Sequence, residues 1–326
     1  MRLLALLALL MVVMGCQPPE EPKSTAPKKD GKLRIAVIPK GTTYDFWKSV
    51  HYGAEQAAKE LDVEIDWLGP ALESDRNGQI TIVQNFITNK VDGIVLAPLD
   101  SHALVDAVKE ANKANIPVVI FDSALDDESI TVSYVATDNG KGGELAAEEM
   151  ARQLDGKGKV ILMRYAKGSE STQQREEGFL KKLKEYPDIE ILESEQYGGT
   201  SQSSALDKAQ QLLNTYGQEV DGFFAVNESN AGGTLQALED HNPAEKVVFI
   251  AFDANPNLVQ ALSNGKVKGI VLQDPVKMGY LGVKTMVAHL RGEKVEKRVS
   301  TGEHVATPKN MNEPDMKTLL APAQFD

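Results

Sequence analysis

The chain has 326 residues, with 47 Asp and Glu against 35 Lys and Arg, and a formal net charge of −12. Acidic residues are spread throughout, which excludes a nucleic-acid binder, because DNA binding needs a basic face to displace phosphate counterions. The one cysteine, Cys16, excludes a disulfide framework, so a core must hold the fold, and the length suffices for two domains.

The first element in chain order is an address. Met1-Arg2 is a minimal positive start, and residues 3–13 form an apolar stretch without a charge. Spanning a bilayer takes roughly 20 residues, so this shorter run reads as a signal-peptide core. It meets Val13-Met14-Gly15-Cys16, a small residue before a lone Cys, which resembles the bacterial lipoprotein lipobox. The resemblance implies cleavage before Cys16 and acylation of that residue; Met14 is bulkier than usual there. Gln17 stands where an inner-membrane lipoprotein often has Asp, which leaves the membrane open. Residues 1–15 are expected to be a signal peptide. Residues 16–31, with Pro18, Pro19, Pro22 and Pro27, are expected to be a disordered tether, too polar to offset the entropy of ordering. The folded part then works outside the cytoplasm, periplasmic or at the cell surface, lipid-anchored beside a membrane.

Past the tether, strands and helices alternate. Residues 33–38 read as a strand, followed by a Gly- and Thr-rich loop. Phe46, Val50, Ala54, Ala57, Ala58 and Leu61 carry helical spacing. Strands are expected at 63–68, 94–97, 118–121 and 132–135, with helices around 80–87 and 104–114 between them. The pattern restarts at Asp138-Asn139-Gly140-Lys141-Gly142-Gly143. Strands follow at 160–163, 189–192, 223–226 and 247–252, with helices through Leu145 and Met150 and at 178–183, 205–213 and 235–238. A late strand at 267–273 and a helix at 278–290 complete the series. Such alternation argues for parallel sheets with right-handed crossovers.

Two stretches repeat one phrase. Val91-Asp92-Gly93 launches an apolar run, a helix follows, and a second apolar run ends in Phe121-Asp122. Val220-Asp221-Gly222 does the same and ends in Phe252-Asp253. Short apolar runs bounded by turn residues read as strands buried on both faces. Each copy places an Asp at a strand's carboxyl end, where open α/β sheets bind ligands.

The carriers of a family resemblance are Ile35-Ala36-Val37-Ile38, Phe46-Trp47, Ala114-Asn115-Ile116-Pro117-Val118-Val119 and Ala136-Thr137-Asp138-Asn139 with Gly142-Gly143. Arg175-Glu176-Glu177-Gly178-Phe179, Val226-Asn227-Glu228 and Phe252-Asp253 continue it. Their order resembles the type I periplasmic substrate-binding proteins, particularly the ribose-binding-like sugar binders of ABC importers, similar in fold to the effector domain of LacI-type repressors. The resemblance covers about residues 33–301. It implies two Rossmann-like lobes with parallel sheets flanked by helices, joined by crossing hinge strands. The expected N-terminal lobe is 32–137 with 274–301, and the C-terminal lobe 138–273 with 302–320. It further implies a monomer without cofactor that closes about its hinge on a monosaccharide or polyol and delivers it to an ABC transporter permease. A module presenting a sugar to a membrane sensor kinase is the alternative.

The resemblance also assigns the cleft. Tyr44, Phe46 and Trp47 occupy the segment whose aromatic faces hold the sugar ring, since sugar C–H faces suit flat aromatic surfaces. One of Phe46 and Trp47 is expected to staple its helix to the sheet and the other to touch ligand. Asp122 and Asp253 would each accept from neighbouring hydroxyls, unless Asp253 instead caps the helix after Pro256. Arg175 would donate through its fork, unless it forms a surface pair with Glu176 or Glu177. Asn227 and Gln273 can donate and accept at once. The sequence departs from the ribose type in having Ser123 after the first strand-end Asp in place of Arg, and Lys40 at the end of the first strand. Thr200 or Tyr197 lies where that group has a second-lobe aromatic. Ser123 fits a differently shaped polyol or pyranose, and Lys40 leaves room for an acidic sugar.

Other chemistries lack their parts. Gly156-Lys157-Gly158-Lys159 precedes a strand, whereas a nucleotide loop follows one. Gly140 to Gly143 opens a helix without nucleotide-loop spacing and reads as a hinge-side turn. The five histidines are scattered, so no metal site is expected. No Gly-x-Ser-x-Gly elbow appears, so no acyl-transfer enzyme is expected. A basic run at Lys181-Lys182-Leu183-Lys184 is flanked by Glu176, Glu177 and Glu185 and reads as a solvated helix face.

Overall fold

The computed structural model describes residues 31–241 and 246–325. The expected signal peptide, Cys16 and nearly all of the expected tether lie outside the described residues. The first series runs β1 (Arg34–Ile38), α1 (Asp45–Leu61), β2 (Glu64–Trp67), α2 (Arg76–Thr88), β3 (Gly93–Leu96), α3 (Val105–Lys113), β4 (Val118–Phe121) and β5 (Tyr134–Ala136). The second runs α4 (Asn139–Gln153), β6 (Lys157–Met163), α5 (Glu170–Leu183), β7 (Asp188–Glu193), α6 (Gln202–Tyr216), β8 (Gly222–Ala225), α7 (Glu228–Asp240), β9 (Val248–Phe252), α8 (Pro256–Ser263) and β10 (Gly269–Leu272). Then come α9 (Pro275–Leu290), β11 (Arg298–Ser300), β12 (His304–Ala306) and α10 (Pro314–Leu320).

These strands form two six-stranded sheets, ordered β11-β5-β4-β3-β1-β2 and β12-β10-β9-β8-β6-β7. Every pairing is parallel except β10 with β12. Burial on both faces explains the apolar runs. Ala36, Ile38, Ile94 and Leu96 face one helical layer, while their neighbours Ile35, Val37 and Val95 face the other. The second sheet is sandwiched in the same way, with Ile161 and Phe223 on one side and Val160 and Phe224 on the other. The chain passes between the lobes after β5, after β10 and after β11. Helix α9 returns to the first lobe, where Met278, Val283 and Met286 join the layer of Val50 and Ala54. Strand β12 and the α10 residues Met316 and Leu320 belong to the second.

The repeated phrase has the same physical content in both lobes. The Asp92 carboxylate accepts from the Arg34 amide at 2.7 Å, and the Asp221 carboxylate from the Lys159 amide at 2.8 Å, so each fixes the start of the adjacent strand. The glycine that follows leaves room for a methionine: a Cβ would lie 2.4 Å from the sulfur of Met286 at Gly93 and of Met150 at Gly222. Reciprocal glycine notches also let one helix pair approach closely in each lobe. A Cβ on Gly53 would lie 1.9 Å from the Val276 carbonyl oxygen in the α1–α9 pair, and one on Gly143 would lie 2.0 Å from that of Arg175 in the α4–α5 pair.

Beyond α10 the chain turns back to the first lobe. The Phe325 amide donates to the Lys48 carbonyl at 3.1 Å, and its ring lies 4.0 Å from His51, which stacks on Trp67 at 4.4 Å. Among the described residues no helix is long and apolar enough to cross a membrane.

Candidate functional site: the interlobe cleft

The carboxyl ends of both sheets face one cavity between the lobes, the place where open α/β sheets bind ligands. Eight of the nine ligand residues expected from the sequence line it: Tyr44, Phe46, Trp47, Asp122, Arg175, Asn227, Asp253 and Gln273. Ser123 lies beside it, buried, with its hydroxyl accepting from the Ser171 amide at 3.1 Å. Lys40, Glu73, Tyr165, Ser169, Ser171, Thr172 and Glu228 complete the lining.

Asp122 and Asp253 follow β4 and β9 with φ of 60° and 67°, left-handed backbone that few non-glycine residues adopt. Such conformations cost on the order of 1 kcal/mol or more and concentrate at functional sites. Here both occur where a buried strand must stop and deliver a carboxylate to the cavity. The Asp122 carboxylate pairs with Lys40 Nζ at 2.9 Å. The Asp253 carboxylate accepts from Gln273 Nε2 at 2.8 Å and the Glu228 amide at 3.3 Å, with Arg175 Nη1 at 3.8 Å. Burial pushes the Asp253 carboxyl above its ordinary pKa, opposed by Arg175 and the Gln273 bond. The helix-capping alternative for Asp253 does not hold: Asn255 caps α8, accepting from the Leu258 amide at 3.0 Å.

Arg175 is buried, not a surface partner of its neighbours. Its Nε donates to Asn139 Oδ1 at 2.9 Å, its Nη1 to the Val226 carbonyl at 3.0 Å, and its guanidinium lies 3.8 Å over the Phe252 ring. Glu176 pairs instead with Arg164 at 2.9 Å. Asn227 is the N-cap of α7, accepting from the Asn230 amide at 3.3 Å while lining the cavity. Gln273 gives its amide N–H to Asp253 and leaves Oε1, which is buried, without a protein partner. A buried acceptor without a donor is costly, and a ligand hydroxyl would satisfy it.

Phe46 and Trp47 do not divide their tasks as expected. Both pack into the first lobe's core and both line the cavity, their rings edge to face at 4.9 Å. The Trp47 indole N–H donates to Glu73, fixing the ring against the wall.

Bonds across the cleft hold the lobes together. Lys40 Nζ donates to Ser171 Oγ at 3.0 Å, the Tyr44 hydroxyl to the Thr200 carbonyl at 3.2 Å, and the Ala124 amide to Glu170 Oε2 at 3.0 Å. Glu228, the first residue of α7, accepts from the Phe46 amide at 3.1 Å and the Asp45 amide at 3.4 Å. It thus places a carboxylate at the N-terminus of the facing helix α1, where the helix dipole favours negative charge. Burial still dominates and pushes its pKa up to about 8, with Asp253 and Asp45 adding to the rise. The charge balance bears on ligand class: Lys40 and Arg175 share the lining with Glu73, Asp122, Glu228 and Asp253. Lys40, buried and paired with Asp122, has no surplus charge for an acidic sugar.

Two lobes joined by crossing segments, a cavity between them and mirrored carboxylates are the build of a binding protein that closes on a small solute. The chain belongs to the periplasmic binding protein domain family, which it matches over residues 35–294. It is 30% identical to the ribose import binding protein of Escherichia coli (strain K12) over 267 residues, 81% of this chain and 87% of that one. Among solved structures, a carbohydrate transporter solute-binding protein from Agrobacterium radiobacter in complex with D-arabinose superimposes with a TM-score of 0.86 at 34% identity, covering 90% of this chain and all of that one. An ABC transporter solute-binding protein from Agrobacterium vitis with bound D-fucose gives 0.85 at 37% identity, over 88% and 99%.

Among the described residues no cluster of His, Cys, Asp or Glu is arranged to hold a metal ion.

Proposed function

We propose that this protein is an extracytoplasmic solute-binding protein that captures a neutral monosaccharide or related polyol between its lobes and delivers it to an ABC importer. The observation that carries the reading is the pair Asp122 and Asp253, projected from opposite lobes into one cavity by matching left-handed backbones. Carboxylates accept from adjacent hydroxyls in short charge-assisted bonds, the aromatic rings of Phe46 and Trp47 suit sugar C–H faces, and Gln273 Oε1 awaits a donor. Sugar binding by the relatives, including D-arabinose and D-fucose complexes, supports the same class.

Closure is proposed to move residues 32–137 with 274–301 against 138–273 with 302–320, about the three crossings. The working form is a monomer, and it binds and releases without chemical change. Export and anchoring through acylated Cys16 rest on the short apolar run before Gly15-Cys16 and the Pro-rich stretch after it. Replacing Cys16 with Ala should abolish incorporation of labelled fatty acid and release the protein from membranes.

The test of the ligand class is a thermal-shift panel of D-arabinose, D-fucose, D-ribose, D-allose, xylitol and myo-inositol beside sugar acids such as D-galacturonic and D-glucuronic acid. A ligand at 100 times its Kd stabilises by about 2.7 kcal/mol, so at least one neutral compound should raise Tm. A panel in which only sugar acids stabilise, or nothing does, contradicts the reading.

A further inference from the structure

We propose that Glu73, on the loop between β2 and α2, reads one hydroxyl of the ligand and completes its site only when the lobes close. The inference rests on the sugar-binding reading above. The loop carries Glu73 into the cavity wall, and Gly41 makes the passage possible: a Cβ there would lie 2.8 Å from Glu73 Cγ. Within the cavity the carboxylate has one partner from each lobe. Oε1 accepts the Trp47 indole N–H from its own lobe, and Oε2 accepts the Tyr165 hydroxyl from the other. The second bond can form only when the lobes meet.

Both donors are neutral. A buried carboxylate is stable when cations or enough hydrogen bonds compensate the loss of water. Burial raises the Glu73 pKa, the Tyr165 and Trp47 bonds and Lys40 oppose the rise, and Asp122 adds to it. Each carboxylate oxygen accepts more than one hydrogen bond, so capacity remains on a group that faces the cavity. A ligand hydroxyl would supply a further donor. A purely structural post between Trp47 and Tyr165 would not require a charge, whereas a hydroxyl reader gains from one. The role is selection: a sugar lacking that hydroxyl leaves the carboxylate under-compensated.

Titration calorimetry on the full-length chain tests this, with the tightest-binding sugar of the panel and each of its monodeoxy analogues. Glu73→Gln should weaken the parent sugar about 10- to 100-fold, the range for a hydrogen bond to a charged group. One analogue, lacking the hydroxyl that Glu73 reads, should bind variant and wild type within about twofold of each other. Gly41→Ala, which crowds Glu73 out of its place, should flatten the same preference. Equal losses for the parent and all analogues in Glu73→Gln, or none, overturn the proposal and leave Glu73 a wall. If the wild-type chain binds no sugar at all, the sugar reading itself fails and this inference falls with it.

Discussion

Asp122 and Asp253 end equivalent strands with the same left-handed turn, yet their surroundings differ in kind. Asp122 meets a cation, Lys40, that also bonds across the cleft to Ser171. Asp253 meets an amide, Gln273, from the crossing strand, with Arg175 farther off at 3.8 Å. The repeated scaffold determines where each carboxylate enters the cavity, and residues outside the repeat determine what surrounds it. Asp122 is therefore tied to charge balance and closure, whereas Asp253 is tied to a hydrogen-bond array with an acceptor left open for the ligand.

The largest expected effect comes from breaking the charged half. Asp122→Ala would strand the buried Lys40 ammonium, and removing one partner of a buried pair costs about 3–5 kcal/mol. Tm should fall sharply and sugar binding should vanish in calorimetry; retention of both would contradict the assignment. A helix notch separates the lobes next. Gly143→Ala and Gly53→Ala each force a Cβ to within about 2 Å of a backbone oxygen, and overpacking of this kind costs about 1–3 kcal/mol. Both should melt earlier, but only Gly143→Ala should also weaken ligand binding strongly, because the backbone it displaces is that of Arg175.

Taken over a single pH unit, the effect of pH is smaller, and it has a definite sign. Burial in the closed cleft holds the Glu228 pKa at about 8, above its ordinary 4.5; an opening that returned the carboxyl to water would lower it, so the closed form would hold a proton that the open form releases. Closure is unopposed by this group below about pH 4.5 and increasingly opposed as pH rises toward 8. Glu73 and Glu170, which bond across the cleft and are also raised by burial, would act in the same direction. Sugar affinity should decline as pH rises through this window, by at most about tenfold per pH unit for one proton. Glu228→Gln should flatten the profile. The smallest effect belongs to the tail: Phe325→Ala removes one ring from the His51–Trp67 stack and should cost about 1 kcal/mol. Burial holds the pKa of His51 down to about 4, so that contact should not change between pH 6 and 8.

The scaffold was legible because strands buried on both faces have little choice but continuous Val, Ile and Phe, as in β3, β4, β8 and β9. The edge pieces β11 and β12 were not, since three residues with polar, exposed members carry no periodicity. Helix α8 was masked by its short length, and whether Asp253 would cap it could not be decided without the left-handed turn at that residue. The strand-end residues Asp122, Asp253 and Gln273 were readable because the end of a strand predicts the mouth of a cleft. Glu73, Tyr165, Ser169 and Ser171 were not, because loops and helix starts carry no pattern that says which side chain turns inward. Lys40 is legible in the sequence as a charge at the end of the first strand, but its neutralisation by Asp122 depends on a contact between distant segments.

On the proposed reading, one neutral sugar sits between Asp122 and Asp253 and draws the lobes together. Small-angle X-ray scattering on the full-length chain, with and without the sugar selected by the thermal panel, tests it most directly. The radius of gyration should fall on saturation, and Asp122→Ala should lose that change at the same sugar concentration. Saturable binding with an unchanged radius in the wild-type protein would contradict it.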